Sequence, residues 1–129
     1  MVIWNDATIA QVADDAAQRL SQRDARCAHF PETAVAEDIR ALVTNLLRAI
    51  ESGGEQPDFE AYLNALQQTS LRQAFRPTSV LLLLLEVEAS LANVIELEDG
   101  AAALGSTQWR SIQVVLRFTI ANFVAKLPQ

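Results

Sequence analysis

Val80 to Leu85 is an unbroken apolar run of six residues. It lies inside FRPTSVLLLLLEVEASLANVIELE (75–98), which places apolar side chains on almost every side of a helix. At about 100° per residue, Val80, Leu83, Leu84, Val87, Leu91, Val94 and Ile95 share one broad arc. Leu81, Leu85 and Ala92 lie beside it, with Leu82 and Ala89 almost opposite. Glu86, Ser90 and Asn93 are left as a narrow wet strip. Such a helix cannot rest on a surface with one face in water. The pattern predicts cover from other helices, from a partner subunit, or from both.

The remaining periodic segments supply that cover. Residues 7–24 read as a helix with Ile9, Val12, Ala13, Ala16 and Leu20 on one stripe, capped by Asn5 or Asp6. Ile3 and Trp4, just ahead, fit either a lid on the core or a dimer contact. Pro31 opens a second helix to about Glu51, with Val35, Ile39, Leu42, Leu46 and Ile50 on one face and Val43 and Leu47 widening it. Ser52-Gly53-Gly54 ends it. Pro57 and Asp58 start a third helix on Phe59, Leu63 and Leu66, with Tyr62 alongside, and Pro77 breaks it from the apolar rod. After the small-residue loop 101–105, Ser106 or Thr107 caps a fifth helix of about 107–127. Its core stripe is Trp109, Ile112, Leu116, Ile120, Phe123 and Leu127. A second stripe, Val114, Phe118, Ala121 and Ala125, runs on the far side. Two apolar faces on one terminal helix need two things to pack against.

The expected fold is therefore all-α, one compact bundle of about five helices forming a single domain over 1–129. No strand-like alternation or internal repeat competes with that reading. Composition agrees: half the residues are apolar and a fifth charged, ordinary for a globular chain. The net charge of −6 and scattered basic residues disfavour nucleic acid as a partner, because phosphate binding needs a basic face. The single cysteine precludes an internal disulfide and fits a reducing cytoplasm. The first ten residues lack the basic start of a signal peptide. The longest apolar run falls short of the roughly 18–20 residues that span a bilayer. The expectation is a soluble, cytoplasmic protein without membrane contact.

Candidate chemistry is sparse. His29 is followed by Phe30 and Pro31, a loop context that points to a surface or capping histidine. Cys27 and His29 alone do not make a structural zinc site, which needs four ligands, so no metal and no cofactor are expected. Glu86 and Glu88 straddle their helix instead of facing each other. With Asp14, Asp15, Glu96, Glu98 and Asp99 they read as solvated charge. No phosphate loop, GxSxG, HExxH or CxxC is present, and a catalytic role is not expected. Phe59, Tyr62, Trp109 and Phe123 are candidates for lining a ligand pocket, although at helical spacing aromatics are more often plain core. Leu82 with Val114, Phe118, Ala121 and Ala125 are the candidates for an oligomer interface, since monomers rarely leave such a patch exposed; the alternative is internal packing against the first helix or Trp4.

ALVTNLLRAIESGG followed by DFEAYLNALQQTSLRQAFRPTSVLLLLLEVEASLANVI (within 35–97) resembles the N-terminal domain of RsbR-type stressosome co-antagonists. The likeness lies in an apolar helix ending in small residues, a corner at Arg72, Ala74 and Phe75, and a long apolar helix. The resemblance implies a globin-related, non-haem helical input domain that dimerises and has no catalytic residues. Two functional expectations follow. The first is a signal-input module that pairs through apolar helix faces and relays to a C-terminal or separate effector. The second is a small-ligand binder for haem, bilin or lipid.

Overall fold

A computed structural model describes residues 3–23, 32–51, 61 and 77–125. Among these residues there are four α-helices and no strand: α1 (Asp6–Arg23), α2 (Glu32–Glu51), α3 (Pro77–Asp99) and α4 (Thr107–Ala125). A short 3-10 turn, Ala101–Gly105, joins α3 to α4. The expected third helix lies outside the described residues except for Ala61, as do Cys27, His29, Phe59, Tyr62 and Leu127. The side chains of Val80 and Phe123 are likewise not described.

Local chemistry sets the helix starts. Asn5 is the cap of α1: its Oδ1 accepts from the Thr8 backbone N–H and from Thr8 Oγ1, both at 2.9 Å. That satisfies one donor the first turn would otherwise orphan. Asp6 sits in the first turn and Arg23 in the last, both favourable to the helix dipole. Ser106 caps α4, its Oγ accepting from Trp109 N–H at 3.2 Å. The end of α3 is set by Gly100, whose N–H donates to Glu96 O at 2.8 Å. Gly100 has φ of 88°, a conformation that glycine adopts at little cost because it has no Cβ.

The helices close a ring. α1 packs on α2 and α3, and α4 packs on α3 and α2, leaving α1 and α4 on one diagonal. Ile9, Val12, Ala13, Ala16, Ala17 and Leu20 give α1 a thin, alanine-rich buried stripe, which lets it approach its neighbours closely. α2 contributes Val35, Ile39, Leu42, Val43, Leu46 and Leu47. α3 buries Leu83, Leu84, Val87, Leu91, Val94 and Ile95, and α4 buries Trp109, Ile112, Val115 and Leu116. The apolar arcs read from helical spacing thus face the core wherever the side chains are described, with Ile50 and Ile120 half-buried at its margin. Trp4 packs against this core half-buried, whereas Ile3 is exposed.

The polarity of α3 departs from expectation. Glu86 and Ser90 are buried, at 3% and 0% exposure, and do not form a wet strip. Glu88 is buried too. The outer side of α3 instead shows Leu85 and Ala89. The reason is tertiary: arginines on the two flanking helices reach the carboxylates and replace their water.

Candidate interaction surface

Two polar seams fasten α3 to its neighbours. On the α1 side, Asp15 Oδ2 accepts from Ser90 Oγ at 2.9 Å and from Arg19 Nε at 3.0 Å. Two turns along, Arg23 Nε donates to Glu86 Oε1 at 2.7 Å. Glu86 Oε2 is buried with no hydrogen-bond partner among the described residues. On the α4 side, Glu88 Oε1 accepts from Arg117 Nε at 2.9 Å and from Gln113 Nε2 at 3.3 Å. The Glu88 side chain is 10% exposed and that of Arg117 is 62% exposed. Asp15 with Arg19, Arg19 with Arg23, and Gln113 with Arg117 are each four residues apart. That spacing aligns the paired side chains on one helix face, a signal for these seams that the reading of solvated charge overlooks. Solvated charge is therefore the wrong description of Glu86, Glu88 and Asp15, though it fits Asp14, Glu96 and Glu98, which are exposed.

The interface candidates on α4 fall on one uncovered face. Phe118 is 57% exposed and Val114 49%, and Ala121 and Ala125 are exposed on the same arc. Val124 is also exposed. Leu82 is half-buried and packs against the core, whereas Leu85, Ala89 and, at the helix end, Leu97 are the exposed apolar positions of α3. At about 100° per residue Leu85 falls on the outer side of α3 with Ala89, so the spacing itself turns it away from the buried arc.

Of the pocket candidates, Trp109 is a core residue. Phe59 and Tyr62 lie outside the described residues, and the side chain of Phe123 is not described. An open cleft of about 600 Å³ sits instead at the corner between α3 and α4, lined by Asp99, Ala102, Ala103, Ser106, Thr107 and Gln108. It brings no pair of carboxylates together. Among the described residues no three His, Cys, Asp or Glu side chains converge as metal ligands. None of the described helices is long and apolar enough to cross a membrane. One carboxyl is perturbed: burial, and then neighbouring Glu37, push the Asp38 carboxyl above its ordinary value.

No family model, curated protein or solved structure matches the chain. The outer face of α4 therefore carries the functional argument on physical grounds.

Proposed function

We propose that this chain is a non-catalytic helical input module that self-associates through the outer face of α4 and relays a signal to an effector, either continuous with the chain or separate. The observation that carries the reading is the exposed stripe Val114, Phe118, Ala121 and Ala125 on a helix whose opposite face already fills the core. A large aromatic more than half exposed between aliphatic neighbours is costly in water, and burying it against a second copy removes that cost. Ridge-into-groove packing of two such helices uses side chains four apart, the Val114–Phe118 and Ala121–Ala125 spacing. Alanines at the far end allow close approach. A relative shift of the paired helices is then the means of passing a signal. The resemblance to RsbR-type input domains points to the same role.

Light scattering at tens of micromolar is the test. A dimer is expected for the wild type, and Phe118→Glu is expected to give a monomer of unchanged helicity. A wild-type monomer would remove the physical support for the reading. Loss of helicity in Phe118→Glu would make Phe118 a residue of the fold.

A further inference from the structure

We draw no further inference here: the strongest candidate, the open cleft at the corner between α3 and α4 beside the exposed Leu97, is framed only by an acidic cluster and the start of a helix, and nothing in the structure shows what would occupy it.

Discussion

Asp38 sits half-buried on α2 beside Glu37, and its raised carboxyl value has a consequence for stability. The folded state holds the Asp38 proton more tightly than the unfolded chain does. Ionisation therefore costs stability at neutral pH, and the cost disappears as pH falls through the raised folded value towards 3.8. Asp38→Asn is expected to melt above the wild type at pH 7, with the gap closing as pH is lowered towards 4. A constant gap across that range would show that charge is not the cause. Single residues were legible from sequence where their partner is local. Asn5 and Ser106 cap the helices that follow them, because a cap acts three residues away along the same chain. Glu86 and Ser90 were misread as wet because their partners, Arg23 and Asp15, belong to another helix. No periodicity within α3 encodes those contacts.

At the scale of elements, the sequence located all four described helices to within a few residues, since apolar spacing marks each of them and caps mark the starts of α1 and α4. It did not order them around the core. The ring in which α3 touches α1 and α4 decides which polar side chains are enclosed, and it gives the α1–α3 contact its character. α1 meets α3 through small apolar residues and a polar seam, and that seam contains a carboxylate oxygen, Glu86 Oε2, with no partner among the described residues. A buried ion pair is costly to break and often dispensable as a whole. Arg23→Ala is expected to lower the unfolding free energy by on the order of 2 kcal/mol, less than for a fully enclosed pair because Arg23 is largely exposed. Glu86→Leu removes the unsatisfied oxygen together with the charge, so it is expected to cost less than Arg23→Ala or to stabilise. Urea denaturation of both variants checks the order. A Glu86→Leu protein weaker than Arg23→Ala would mean that the carboxylate fastens the helices more than it burdens them.

For the whole molecule, the second apolar stripe of α4 was legible as a surplus, since two opposed faces cannot both enter one core. The residues that share the outer surface with it were not. Leu85 and Ala89 stand outward on α3 because Glu86 and Glu88, on either side of them, are engaged by α1 and α4. The self-association proposed for α4 would tie stability to protein concentration, because binding that favours the folded state makes the melting temperature rise with the amount of protein. For a chain of 129 residues, each tenfold dilution is expected to lower the melting midpoint by roughly 2–3 °C while the dimer persists. Calorimetry over two decades of concentration reads this directly, and a midpoint independent of concentration would indicate a molecule that folds alone.

Leu97 is 70% exposed at the end of α3, yet Glu96, Glu98 and Asp99 surround it and are exposed as well. This fence of carboxylates does for a helix tip what gatekeeper charges do for a sticky strand. Copies drifting together by that corner push each other off before the leucine can be shared. If copies pair through α4 as proposed, the corner is a poor handle for chain growth, and the assembly is expected to close instead of extending from this end into an open-ended stack.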